Sequence, residues 1–367
     1  MSFRILYIVL ISVVFATANN ARAESVSREF RTLVPRQMLP LLHTPEIHQE
    51  LKLTKEQVSK LETLFAEVDG AWFQARILPP DQQLPILDAL DQKVHQWLAE
   101  HTSSEQQERL GQIELQAQSV RMLLREDLAQ KLTLEPTQQQ QFAELARATV
   151  AAHAALQQAM HRGKPSDDLQ TKASAAAKAE NDAVKEILKA EQQKQLARLL
   201  GEPFDLSRLK RIYPMAPEFV PAKVWINSKP LTLKELRGKV VLVHFYAFQC
   251  HNCHANFEIY RRWHDKLREK GVEVIGIQTP ETSEERDPAA VKTAAAERKL
   301  EFPILVDLDS KNWAAWGNTM WPTVYVVDKN GYLRHWWQGE LNWKGATADR
   351  TIENVVDQLL AESRIAP

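Results

Sequence analysis

The sequence predicts two folded regions of different class: an all-α region first, then an α/β domain built on a mixed central sheet flanked by helices. Three observations predict this. The run 240–245 is apolar and largely β-branched apart from His244, the pattern of a strand covered on both faces. Just after it, Phe257, Tyr260, Trp263 and Leu267 recur three or four apart, the rhythm of an amphipathic helix. The first half, by contrast, is rich in Gln, Ala, Glu and Leu, poor in Gly and free of Cys. Four prolines (Pro203, Pro214, Pro217 and Pro221) separate the halves.

In chain order, residues 1–23 read as a secretory signal. Arg4 supplies the charge, Ile5 to Ala18 the apolar core and Ala21-Arg22-Ala23 a small-residue site, so cleavage is expected after Ala23 and export to the periplasm or cell envelope follows. The apolar core is about 14 residues, short for a bilayer span. A length of 367 residues suits two domains. A net charge of −1 gives no reason to expect nucleic acid or an anionic membrane as partner.

Residues 24–205 are expected to be helical, in two tandem repeats at about 48–128 and 131–202. Thr54 and Gln57 form a capping box ahead of the apolar face Val58, Leu61, Phe65 and Val68. Pro79-Pro80 interrupts the pattern, and Ile86, Leu87, Leu90, Val94, Trp97 and Leu98 give a second stripe. Thr102 to Glu105 reads as another capping box. The opening returns at Lys131 to Gln138, with Glu135 in place of the Thr. Glu191 to Leu196 echoes Glu105 to Leu110, and Gly201 closes that helix. The six histidines of this half are scattered, without a metal-ligand pair on one helical face, so no metal is expected.

Residues 206–222 are expected to form a Pro-rich, semi-rigid linker and 223–367 the α/β domain. Lys223 to Leu233 reads as a hairpin around Asn227-Ser228. Strands are expected at 239–245, 272–278, 303–306, 323–328 and 332–338, the last two joined through Lys329-Asn330-Gly331. Helices are expected at about 253–270, 288–299, 310–316 and 348–362. Thr279-Pro280-Glu281 then falls at the C-terminal edge of the sheet, where open α/β sheets place their sites.

The only two cysteines stand in Cys250-His251-Asn252-Cys253-His254, where the strand hands over to the helix. A thiol at a helix N-terminus meets free N–H groups and the positive end of the helix dipole, and both stabilise thiolate. A second thiol one turn on can close a disulfide with it. The same five residues fit covalent c-type haem attachment, or half of a zinc site. Zinc would need further ligands from histidine, and haem would need an open pocket that a strand-to-helix corner does not offer. An inert staple is a poor reading, because so short a loop removes little chain entropy. The dithiol reading calls for no cofactor.

Four stretches strengthen that reading: residues 238–253, 271–281, 321–331 (W-P-T-V-Y-V-V-D-K-N-G) and 334–340. They occur in an order that resembles the thioredoxin superfamily, in its extracytoplasmic TlpA-like and redoxin branch. They are most similar to the domain that follows the membrane part of DipZ-type proteins. The helical openings resemble the L-T-x-x-Q repeats of Spy/CpxP-like periplasmic proteins. The first resemblance implies a thioredoxin-like domain and an extracytoplasmic thiol–disulfide oxidoreductase acting on protein thiols and disulfides. It implies Cys250 as attacking thiol, Cys253 as resolving thiol, and Pro322, with Trp321 before it in a cis bond, as the substrate-facing loop. A membrane-bound recycling partner is expected, and self-association through the helical domain is an open role for that half.

Several positions depart from the family pattern. Gln249 stands where Trp is common before the first Cys. His244 replaces a buried acid, and Asn256 replaces a Glu found in many TlpA-like reductases. Those acids are credited with moving protons off the resolving thiol, a task open here to His244 or Glu281. The plainer reading of His244 is a neutral core histidine bonded to backbone. His251, between the cysteines, is expected to stabilise thiolate and raise the potential above that of ordinary thioredoxin. Trp321 and Trp336 are candidates to rim the site. Rival readings are a redoxin-type thiol peroxidase, disfavoured by Ala247 at the Thr position of T-x-x-C, and a helical periplasmic chaperone with an accessory redox module.

Overall fold

The computed structural model describes residues 29–161, 167–210 and 212–362. The expected signal at 1–23 lies outside them. Among the described residues no helix is long and apolar enough to cross a membrane.

The chain divides into two compact units, and the division differs from the expected boundary. One unit comprises the chain up to Lys52 together with Leu98–Lys210. The other comprises Leu53–Trp97 together with the chain from Arg211 onward. Residues 53–97, expected in the helical domain, therefore belong with the sheet. The physical reason is Phe73, near the end of the helix Lys55–Ala75, which is buried in the same cluster as Val241, Val243, Phe245, Trp316 and Tyr325.

That second unit is organised by six strands: β1 (Trp225–Ile226), β2 (Val240–Tyr246), β3 (Val272–Gln278), β4 (Ile304–Val306), β5 (Thr323–Val327) and β6 (Leu333–Gln338). Their spatial order is β1-β4-β3-β2-β5-β6. β2 is parallel to β3 and β3 to β4, while β1, β5 and β6 run antiparallel to their neighbours. The mixed sheet follows from the connections: helices link the parallel strands, whereas a tight turn links β5 to β6. In that turn Gly331 alone is left-handed, at φ 85°, and Asp328 Oδ1 accepts the N–H groups of Asn330 and Tyr332.

β2 is buried along its whole length. Val240, Leu242 and Tyr246 pack in the cluster that contains the helices His251–Leu267 and Ala348–Ala361, and Val241, Val243 and Phe245 pack in the cluster that contains Phe73. Alternation along a strand, with both faces covered, explains the unbroken apolar run.

Two expectations need correction here. The hairpin at 223–233 does not form. Asn227 takes φ 65°, and its Nδ2 donates to the carbonyls of Leu300 (2.7 Å) and Phe302 (3.0 Å), tying the segment to the approach to β4. The 206–222 stretch is no free spacer past its first residues. Met215 bridges Tyr332, Ala216 N donates to Gly331 O, and Met215 N donates to the Asp69 carboxylate at 2.7 Å.

The other unit is helical, with its core around Leu123, Leu128, Leu132, Phe142, Ala143, Ala146 and Leu196. The echo seen in sequence recurs in backbone geometry. Lys52 and Thr133 both take a positive φ (52° and 49°), one residue after Leu51 and Leu132. The Leu51 carbonyl accepts Gln106 Nε2 at 3.0 Å, and the Leu132 carbonyl accepts Gln192 Nε2 at 3.3 Å. Gln57 and Gln138 each accept the N–H three residues earlier, from Thr54 and Glu135. The box expected at Thr102 is set one residue later, as Ser103 with Gln106, because the Thr102 hydroxyl donates to Leu98 O instead.

Candidate active site at the dithiol

Cys250 is the N-cap of the helix His251–Leu267. β2 delivers it through a short turn in which Cys250 N donates to Ala247 O at 3.2 Å. Its thiol is held below the ordinary value, first by a hydrogen bond from Cys253 and then by the backbone N–H groups of Cys253 and Asn252. Both N–H groups lie in the first helical turn, where Cys253 N also donates to the Cys250 carbonyl at 3.1 Å. Burial and the Glu281 charge act in the opposite sense. Cys253 is fully buried, at 0% exposure against 9% for Cys250. Burial pushes its thiol far up, so Cys253 holds its proton while Cys250 gives its own up. Both cysteines are free thiols.

The Trp321–Pro322 bond is cis. Thr323 pairs with Phe245 across β2 and β5, which sets Pro322 at the end of the sheet where β2 runs out toward Cys250. Trp321 packs against the cluster holding both cysteines and lies 4.1 Å from the Trp313 ring. Trp336, expected at the rim, belongs to the other sheet face. It pairs with Tyr325 and meets Phe73 edge-on at 5.6 Å.

Glu281 is exposed, and its charge raises both thiols. His251 is also exposed, at the first position of the helix. Asn256 is buried and joins the helix to the loop after β6. It accepts from Leu341 N at 2.9 Å and donates to Gly339 O at 3.3 Å.

His244 lies within an aromatic box on the same sheet face as Cys253. Its ring stacks on Tyr260 at 4.0 Å and Tyr246 at 5.2 Å, with Phe302 edge-on at 5.0 Å. Gly276, its neighbour on β3, makes the room: a Cβ there would meet Phe302, Tyr246 and His244 Nε2 at 3.0–3.2 Å. The neutral core histidine expected from sequence is present, but its backbone bonds are not, since neither ring nitrogen has a hydrogen-bond partner among the described residues. Burial lowers its pKa from 6.5 to about 3. A depressed histidine withholds a proton that the unfolded chain accepts. Folding stability should therefore be whole above pH 6.5 and fall by about 1.4 kcal/mol for each pH unit below it, down toward pH 3. Urea unfolding between about pH 4 and pH 7 checks this: His244→Phe should flatten the acid slope relative to the parent, and an unchanged slope would exclude His244 as its source.

Sequence reasoning missed the groups that brace the Cys250 turn. The buried Glu285 carboxylate accepts Gln249 N at 2.7 Å through one oxygen, and Glu281 N (2.6 Å) and Thr282 N (2.9 Å) through the other. The Gln249 side chain accepts from the Thr282 hydroxyl at 2.7 Å and donates to Glu284. His254 Nε2 lies 2.7 Å from the Phe248 carbonyl. Asp307, also buried, caps the helix Lys311–Ala315 through the N–H groups of Asn312 and Trp313. Its carboxylate also accepts the Thr279 hydroxyl at 3.3 Å, so it couples the end of β3 to the Trp313–Trp321 pair.

Residues 214–336 match the AhpC/TSA family. Protein DipZ of Mycobacterium tuberculosis is 34% identical over 152 residues, covering 41% of this chain and 21% of DipZ, so the chain spans about a fifth of that relative. Thiol-disulfide oxidoreductase YkuV of Bacillus subtilis is 33% identical over 156 residues, covering 42% of this chain and 99% of YkuV. A solution structure of a thioredoxin-like protein in the oxidised form aligns at 31% identity with a TM-score of 0.36, over 41% of this chain and 97% of that one. With YkuV matched from end to end and two thiols at the corner between β2 and its following helix, the chain belongs to the AhpC/TSA family, in its thioredoxin-like group of thiol–disulfide oxidoreductases.

Proposed function

We propose that this protein is an exported thiol–disulfide oxidoreductase that exchanges disulfides with protein substrates through Cys250 and Cys253. The observation that carries the reading is the asymmetry of the pair: a partly accessible thiol stabilised as thiolate at a helix N-terminus, above a fully buried thiol that stays protonated. The Cys250 thiolate attacks one sulfur of a substrate disulfide. That S–S bond breaks, its second sulfur leaves as thiolate, and a mixed disulfide remains. Cys253 then loses its proton and attacks Cys250, releasing the other substrate thiol. Two protein thiols are oxidised to one disulfide, and one substrate disulfide is reduced to two thiols. The reverse sequence donates a disulfide.

Glu281 is the group we assign to receive the Cys253 proton, because its charge acts on both sulfurs and its side chain is open to water, whereas His244 is sealed in its aromatic box. The loop at Trp321 and Pro322 faces the substrate in this reading, and a membrane-bound partner recycles the pair. Ala247, buried ahead of Cys250, offers no hydroxyl to orient a peroxide, which supports exchange over peroxidase chemistry. Titrating the mature protein against glutathione tests the reading. A reversible two-thiol transition is expected, at a potential above about −270 mV. Absence of any two-thiol transition would overturn it.

A further inference from the structure

The Glu285 carboxylate is fully buried, and among the described residues its hydrogen-bond partners include neither a lysine nor an arginine. Its oxygens are committed to three backbone N–H groups from two loops. Charge-assisted bonds of this kind offset the cost of taking a carboxylate out of water. One of the donors, Gln249 N, belongs to the residue before Cys250. Another, Glu281 N, belongs to the residue whose carboxylate acts on both thiols. A single carboxylate thus spans the Cys250 turn and the loop after β3. The Gln249 amide, held by Thr282 and Glu284, repeats the link on the surface.

We infer that Glu285 is a positioning residue: it ties the loop that carries Glu281 to the turn that carries Cys250, so that the poise of the dithiol depends on a side chain spent wholly on backbone N–H groups. The inference rests on Glu281 being the group that acts on the thiols. The charged and titratable groups around this joint are Glu281, Glu284 and Arg286 on its own segment. Cys250 comes from the cap of the helix His251–Leu267 and Cys253 and His254 from its first turn, Tyr246 from β2, and Arg298, which meets His254 and the Phe248 carbonyl, from the end of the helix Pro288–Glu297. Glu285 acts on Cys250 only through the loop it holds. Gln in its place would turn an N–H donor toward N–H donors and release one loop. Asp would keep the charge but lose the reach.

The test is a double-mutant cycle read on the pH midpoint of Cys250 alkylation and on the glutathione potential. Glu281→Gln is expected to lower the midpoint, raising the thiolate fraction at fixed pH roughly threefold or more. Glu285→Gln and Glu285→Asp are each expected to move it the same way. Glu281→Gln combined with either should go no further than Glu281→Gln alone. Additive shifts would overturn the inference, as would an unmoved midpoint in Glu285→Asp, which also decides the matter if Glu285→Gln fails to fold. If Glu281→Gln leaves the midpoint in place, both the inference and the assignment of Glu281 fail. A two-thiol transition that persists there would still uphold disulfide exchange.

Discussion

Cys250→Ser reduces disulfide exchange to the uncatalysed background, and Cys253→Ser stalls it at a covalent adduct. The two outcomes differ because the two sulfurs differ. Cys250 is the one that a substrate can reach and that the helix N-terminus holds as thiolate. Serine there, with a hydroxyl far above neutral pKa, offers no nucleophile. Loss of Cys253 leaves attack intact but removes the thiol that would displace the substrate. The mixed disulfide then accumulates and is seen as a reducible mass increase on non-reducing gels or by mass spectrometry. A further contrast separates the hydrogen bond from the chemistry. Cys253 donates the largest stabilising interaction to the Cys250 sulfur. Cys253→Ser retains a donor and Cys253→Ala does not, so Cys250 should be the weaker acid in the alanine variant. Equal alkylation profiles in the two variants would contradict this geometry.

Phe73→Ala should destabilise the sheet unit by about 3–5 kcal/mol, although Phe73 lies far from the sheet in sequence. The ring is buried, edge-on to Tyr325 at 6.1 Å and to Trp336 at 5.6 Å, with the Arg76 guanidinium 3.4 Å over its face. Its helix is fastened at two more places. Asp69 accepts Met215 N, and Gln74 Nε2 donates to Ala315 O at 2.5 Å. Arg76 also bonds the Tyr325 hydroxyl, whose pKa burial pushes up to about 12. Denaturant unfolding followed by near-ultraviolet circular dichroism and by tryptophan fluorescence measures the loss. A change below about 1 kcal/mol would mean that the helix merely rests on the sheet.

Much of this was legible beforehand, and the failures have physical causes. The β2 run and the Cys250–Cys253 motif announced themselves because a doubly covered strand and a helix-start dithiol leave dense local patterns. Glu285 left only the Thr-x-x-Glu spacing from Thr282, which accounts for its bonds to the nearby Glu281 and Thr282 N–H groups. Only the fold shows that its other oxygen accepts Gln249 N, from a remote loop beside Cys250. The domain boundary failed for a related reason. The stripe on Lys55–Ala75 shows that the helix has an apolar face, while what covers that face is a long-range fact that helical periodicity does not contain. The hairpin at Asn227 failed because an Asn suited to a left-handed turn is equally suited to bonding carbonyls elsewhere in the fold.

The division of the chain also has a consequence for synthesis. The sheet unit is assembled from two separated stretches, with Leu98–Lys210 lying between them in the chain. The ribosome therefore releases Phe73 and its apolar neighbours long before β2 or β5 exists to receive them. Closing so long a loop is slow compared with forming the helices it contains. Until the last strands emerge, the first helix of the catalytic unit is an exposed greasy surface, and any factor that shields nascent chains has its longest task there.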